Sequence, residues 1–302
     1  MSSYRIGGRL AGAPRRVALG LVTGVYLLAG GAGGLTWWLL ADAGHHPLTS
    51  ALCADLVATG VVFAASVVVR NASLYDPYWS VAPPLLVLGW LLAAEQPVVA
   101  RQVLVLVLVT AWAVRLTGNW VIGWPGLGHE DWRYVMMRER SAGRLPWWLV
   151  NLTGVQLVPT LVVFAGLLPG WSAVTGDRPI GWLDAVAVLV TATAIGVEAL
   201  ADRQLHRFAA DPANRGRTVT DGLWRRVRHP NYLGEIGFWW GLWLFALAAA
   251  PARWWTVVGP LVVLALFVGV SVPMMDRRSV DRRPGYREHI RAVPALLPRL
   301  RR

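Results

Sequence analysis

Apolar runs about as long as a bilayer is thick recur along almost the whole chain, and nothing else restricts its folding as strongly. A helix needs about 20 apolar residues to cross the hydrocarbon, and inside lipid every backbone N–H and C=O must be paired within a helix or a closed barrel. The candidate spans are Val17–Leu40, Leu52–Val69, Ser80–Ala94, Val98–Leu116, Pro146–Leu168, Ile180–Leu200, Tyr232–Ala250 and Trp254–Val272. The third is short and carries Pro83 and Pro84, so a broken or re-entrant helix is expected there. The first follows basic residues, as a signal peptide would, but it is longer than an h-region. Its Gly30, Gly31, Gly33 and Gly34 suit packing against neighbouring helices, so it reads as a first span. The expected fold class is all-α, a polytopic transmembrane bundle of seven or eight spans forming one integral membrane domain. Spans in 17–116 are expected on the substrate side, and 117–302 at the cofactor site.

Charge sets the orientation. The net charge of +12 is carried by arginine, since the chain has no lysine. Such a balance invites a nucleic-acid reading, but the basic residues lie between the apolar runs, which is the pattern of positive-inside insertion. With eight spans and both termini cytoplasmic, Arg5, Arg9, Arg15, Arg16, Arg70, Arg115 and the arginines of 133–144, 203–228 and 277–302 fall inside. Only Arg101, Arg178 and Arg253 fall outside, 3 of the 29 basic residues. The inner loops Thr117–Leu145 and Ala201–Asn231 and the tail from Pro273 are long and polar, whereas the outer loops, Glu95–Pro97 among them, are short. A site for a soluble cofactor is therefore expected on the inner face. One cysteine, Cys53, excludes an internal disulfide and a cysteine-based zinc site. The six histidines lack ligand spacing, and no HExxH, GxSxG or P-loop occurs, so no metal is expected.

The segment Glu198–Glu235 carries the most chemistry. On a helix Glu198, Asp202 and His206 share one face at a membrane exit. Pro230 suits the first helical position and leaves His229 near the N-cap. Asn231, Glu235, Trp239 and Trp243 then form a stripe, with Glu235 about one turn inside an apolar span, where an ionisable side chain usually faces a cavity or a partner. Arg225, Arg226 and Arg228 just before that helix make an anion site, and would equally attract phospholipid headgroups. In a second cluster, Tyr75, Asp76 and Tyr78 bring phenols and a carboxyl group to the mouth of a span. That pairing can polarise a carbonyl oxygen and protonate it, while aromatic anchoring at the interface is the plainer role for each tyrosine. The tail around Asp276, Tyr286 and Arg287 is basic and amphipathic, fit for a lid or a membrane-surface helix.

GLWRRVRHPNYLGE (Gly222–Glu235), the WWG after it, PGYREH near the end, and the earlier NASLYDPYWSVAPP and VRLTGNW segments resemble the bacterial DUF1295 membrane proteins. These are related to the steroid 5α-reductases and more distantly to the sterol reductases. The resemblance implies a membrane-embedded, NADPH-dependent reductase of a carbon–carbon double bond conjugated to a carbonyl, acting on a lipophilic substrate in lipid metabolism. It places Asp202, Asn231, Tyr232, His229 and Glu235 at the cofactor, with Asn231 and Glu235 near the nicotinamide. Arg115, Arg203, Arg225, Arg226 and Arg228 are implied phosphate contacts, and Tyr286 and Arg287 would close over the nucleotide. Tyr75, Asp76 and Tyr78 are the nearest match to the family's carbonyl-polarising pair, and Glu235 joins them as a catalytic candidate. His206 and Asp276 depart from the pattern, where Arg and Glu are usual.

Two rival readings stand beside this one. A methyltransferase of the isoprenylcysteine type shares an RHPxYxG-like turn and uses S-adenosylmethionine, which has no phosphate chain to occupy the arginines. The second rival is not an enzyme but a transporter or structural membrane protein. A transporter would carry polar residues at mid-bilayer depth in several spans, whereas here they cluster at the inner ends. The expected partners are membrane lipids and a lipophilic small molecule, not nucleic acid, and the expected location is the bacterial cytoplasmic membrane.

Overall fold

The computed structural model describes residues 10–95 and 98–298. Arg5, Arg9, Arg299, Arg301 and Arg302, and Gln96 and Pro97 of an expected outer loop, lie outside the described residues. Among the described residues the structure is helical and has no strand. In order the helices are α1 (Arg15–Asp42), α2 (Pro47–Val69), α3 (Tyr78–Leu92), α4 (Val99–Gly123), α5 (Trp132–Ser141) and α6 (Trp147–Thr175). They continue with α7 (Trp182–Ala210), α8 (Pro230–Ala249), α9 (Pro251–Arg282) and α10 (Tyr286–Ala292). Seven of these (α1, α2, α4, α6, α7, α8 and α9) are long and apolar enough to cross a membrane. Large apolar side chains stand open on them, among them Leu27 at 73% exposure, Val68 at 82% and Ile122 at 74%. Water would penalise that surface and lipid would not, so the chain is an integral membrane protein.

Several element ends differ from those expected. Pro83 and Pro84 sit inside α3, which is continuous over 15 residues instead of broken. Membrane helices tolerate proline because neighbouring groups take up the freed carbonyls. α6 passes through Pro169 to Thr175, seven residues beyond its apolar run, and includes a π-helical stretch at Asn151–Leu157. α7 continues ten residues past Leu200, and α9 runs from Pro251 to Arg282 through a second π-helical stretch at Phe267–Ser271. A helix does not stop where lipid does. It stops where capping or proline ends it.

The chain forms two compact units that interleave in sequence, Met1–Glu95 with Val109–Phe164, and Gln96–Leu108 with Ala165–Arg302. In the first unit α1 lies close on α2, where a Cβ on Gly33 would stand 3.0 Å from the Ala54 carbonyl oxygen. The short turn Ala72–Tyr75 is fixed by Asn71, whose carboxamide oxygen accepts from Ser73 N–H at 2.8 Å. Asn71 Nδ2 also donates to the carbonyls of Leu127 (2.8 Å) and His129 (2.9 Å), and Ala72 N–H donates to Glu130 Oε1 at 2.9 Å. In the second unit α7 and α8 touch backbone to backbone: a Cβ on Gly234 would meet the Ala194 carbonyl oxygen at 2.7 Å and Glu198 Cγ at 2.8 Å. Arg101, with no exposed surface, is locked to Asp184 at 2.6 Å and to the carbonyls of Arg178 and Pro179.

Candidate functional site

The first unit holds an apolar cleft of about 590 Å³. Gly30, Gly33, Gly34, Trp37 and Trp38 of α1 line it, with Ala54 and Ala58 of α2 and Leu85, Leu88 and Gly89 of α3. The glycines leave the wall low enough for a bulky guest. Three polar side chains line it as well: Tyr26, Asp55 and Tyr78. Tyr78 Oη donates to Asp55 Oδ1 at 2.7 Å and lies 3.1 Å from the Asp55 carbonyl oxygen. Tyr26 Oη donates to the Leu74 carbonyl at 2.7 Å, and its ring meets that of Tyr78 edge-on at 6.0 Å. A phenol and a buried carboxyl group thus stand together in an apolar chamber.

The three residues predicted as one cluster separate. Tyr78 faces the cleft. Tyr75 is buried and hydrogen-bonds Thr160 Oγ1 at 2.8 Å, and Thr160 in turn pairs with Thr59 at 3.0 Å. Asp76 accepts from Tyr134 Oη at 2.5 Å and stands 3.8 Å from Arg133, which also pairs with Asp131 at 2.8 Å. Burial pushes the Asp76 carboxyl up to about 7, against the pull of Arg133. Burial likewise holds the Tyr134 and Tyr75 phenols well above their ordinary range, so both stay neutral donors. The carboxyl group beside Tyr78 is Asp55. Its signal lay in the sequence, because a lone carboxylate inside the apolar run Leu52–Val69 is costly in lipid and marks a partner or a cavity.

The second unit holds a polar pocket of about 170 Å³, lined by Thr218 and Trp224, by Arg228, His229, Asn231 and Tyr232 at the start of α8, and by Arg278, Ser279, Arg282, Arg283, Tyr286 and His289. His229 is the N-cap of α8 and Pro230 its first residue. The His229 and Tyr232 rings stack at 5.2 Å. Asp276 is the hub. Arg228 Nη2 donates to it at 2.7 Å and Nε at 3.2 Å, His229 Nε2 lies 3.0 Å away, and Tyr286 Oη donates at 3.2 Å. Arg228 also donates to the carbonyls of Ile290 and Val293, and the backbone N–H groups of Arg228 and His229 donate to Pro294 (2.9 Å) and Ala295 (3.0 Å). The segment after α10 is strapped to the start of α8. Burial and the charge of Asp276 keep Tyr286 protonated, while burial and the nearby Arg228 hold His289 below its ordinary value.

Of the predicted cofactor residues, Arg228, His229, Asn231, Tyr232 and Tyr286 line this pocket. Glu235 is buried one turn further along α8, at 3% exposure, and accepts from Trp239 Nε1 at 2.9 Å. Asp202 is half-buried on α7, and Arg203, Arg225, Arg226 and Arg287 are exposed. Arg115 is half-buried on α4 in the first unit. Arg228 spends its donors on Asp276 and the tail, and Arg278, Arg282 and Arg283 of α9 and the turn after it also line the pocket. The sequence pattern alone marks these only as orienting arginines of the tail. Arg278, Ser279 and Arg282, with Met275 before them, fall at helical spacing on one face of α9.

The family described as "Protein of unknown function (DUF1295)" matches residues 62–293. An uncharacterized protein of Schizosaccharomyces pombe (strain 972) is 27% identical over 282 residues, covering 84% of this chain and 80% of its own length. No solved structure matches the chain.

Proposed function

The chain belongs to the DUF1295 family, and from this premise we propose that it is an NADPH-dependent reductase of a carbon–carbon double bond conjugated to the carbonyl of a lipophilic substrate. The observation that carries the reading is the Tyr78–Asp55 pair in the apolar cleft. Such a chamber admits a lipid-like molecule and offers its oxygen a phenol O–H donor. Tyr78 turns that donor from Asp55 to the carbonyl oxygen and stabilises the negative charge that grows there, an effect enlarged by the exclusion of water. Asp55 positions the phenol and, when protonated, adds a second donor.

The pocket of the second unit suits the cofactor by its chemistry. Arg278, Arg282 and Arg283 fit phosphate oxygens, Asn231 can pair with a carboxamide, and the Tyr232–His229 stack offers an aromatic face. When bound, NADPH supplies the hydride for the β-carbon. We place the protein in the bacterial cytoplasmic membrane with both termini and this pocket on the cytoplasmic side. That orientation requires α3 to cross as an eighth span. Its 15 residues reach about 22 Å at 1.5 Å per residue, so the bilayer would thin locally around it.

Purified protein in liposomes should bind NADPH and oxidise it only when an apolar enone is present. Arg282→Ala with Arg283→Ala should weaken NADPH binding. Failure to bind NADPH, or binding of S-adenosylmethionine in its place, would refute the reading.

A further inference from the structure

A second cavity in the first unit, about 360 Å³, lies where two spans end. α2 finishes at Val69 and α6 begins at Trp147, and the lining includes Ser66, Arg70, Arg138, Trp147, Trp148 and Asn151. Neither the cleft nor the nucleotide pocket uses these residues, Ser66 and Asn151 included, which bond each other at 2.9 Å.

The charges do not balance. Arg138 pairs with Glu130 at 2.9 Å and stacks over the Trp147 ring at 4.4 Å, while its buried Nε–H has no acceptor among the described residues. Arg70 is exposed and forms no ion pair within the described residues. Two guanidinium groups therefore face one carboxylate, an excess of one positive charge. The backbone at Arg70 points the same way. It is the C-cap of α2 at φ 58, the one left-handed non-glycine residue among those described. Glycine takes that conformation without penalty, whereas a side chain there is strained. The chain accepts the strain and places a guanidinium at the rim of the cavity.

The surroundings are those of a lipid. Trp148 is 53% exposed and Val67 45%, and both line the cavity beside Val68 at 82%. Paired tryptophans at a span end suit the headgroup level of a bilayer. We propose that this cavity binds the phosphate group of an anionic phospholipid, with Arg70 and Arg138 on its oxygens and the acyl chains along Val67, Val68 and Trp148. The ligand chemistry is a phosphate ester, and the apolar flank selects the lipid over a dissolved anion.

The test uses the detergent-purified full chain and native mass spectrometry. The probes are dioleoylphosphatidylglycerol, dioleoylphosphatidylcholine and inorganic phosphate. The intact protein should retain phosphatidylglycerol in preference to phosphatidylcholine. Arg70→Gly should reduce that retention roughly fivefold, the worth of one arginine near an anionic surface. Because glycine relieves the left-handed strain, the variant's lipid-free melting temperature should be equal or higher, which separates lost binding from lost folding. Arg138→Gln should lower retention as well. Equal retention by the intact protein and Arg70→Gly overturns the proposal. So does inorganic phosphate displacing phosphatidylglycerol at equal concentration, which would assign the cavity to a dissolved anion. Neither outcome bears on NADPH binding, so this proposal and the reductase reading fail separately.

Discussion

Tyr78→Phe removes one oxygen from the apolar cleft and leaves the ring. The ring packs edge-on against Tyr26 at 6.0 Å and lies 5.4 Å from Tyr75, contacts that phenylalanine keeps. What disappears is the 2.7 Å hydrogen bond to Asp55. A hydrogen bond to a buried acid is worth about 1–3 kcal/mol, so the variant should melt somewhat earlier and still fold. Catalysis should suffer more. Removing one donor from a site that stabilises a developing oxyanion costs about 10²–10³ in kcat, or roughly 3–4 kcal/mol. NADPH oxidation in proteoliposomes, titrated against an apolar enone, would show kcat falling by that factor while the Kd for NADPH stays put. Asp55→Asn should fall less, because the carboxamide still orients the phenol. Wild-type turnover in Tyr78→Phe would refute the assignment of this pair. So would a loss of activity matched by a loss of NADPH affinity.

Breaking the buried Arg101–Asp184 pair with Arg101→Ala leaves a carboxylate unpaired, and chemical denaturation should report a loss of about 3–5 kcal/mol. Gly234→Ala drives a methyl into the Ala194 carbonyl and Glu198, so thermal unfolding should register overpacking of about 1–3 kcal/mol. Asp276→Ala frees Arg228, His229 and Tyr286 at once, and limited proteolysis should cut the segment around α10 faster than in the intact protein. Asp76 predicts a pH effect. Its carboxyl is raised from 3.8 to about 7 in the fold, so the folded state binds the proton more tightly. The stability this adds is full below about pH 4 and is lost as pH rises through about 7. Asp76→Asn should flatten that slope, so its melting temperature relative to wild type should be higher at pH 8 than at pH 5.

Membrane helices were legible because lipid leaves the backbone few options, and every long span coincides with an apolar run. Their ends were less so. Hydropathy ends the sixth span at Leu200, whereas the spacing of Glu198, Asp202 and His206 already implies a helix there, and α7 carries all three. Tyr75, Asp76 and Tyr78 fall within four consecutive positions, which invites one shared role. A 3-10 turn and a helix start lie among them, however, and their hydroxyl and carboxyl groups reach Thr160, Tyr134 and Asp55 respectively. Asp55 is hard to single out because a hydropathy pattern absorbs one carboxylate into a long apolar run. The arginines of α9 satisfy the positive-inside rule, which by itself accounts for them and so masks their place in the pocket lining. The pairing of Arg228 with Asp276 joins positions 48 apart, a separation that no local pattern encodes.

The strap between Val293 and Arg228 also imposes an order on biosynthesis. Val293 follows Arg228 by 65 positions. At about 5–20 residues per second, a ribosome needs roughly 3–13 s to make that stretch. During this interval the growing chain can insert α8 and α9, but the guanidinium of Arg228 has no carbonyl from the tail to bind, and the polar pocket lacks a wall. Insertion and pocket closure are therefore separate events in time. A nascent chain halted between them would be a correctly threaded membrane protein with its polar pocket still open.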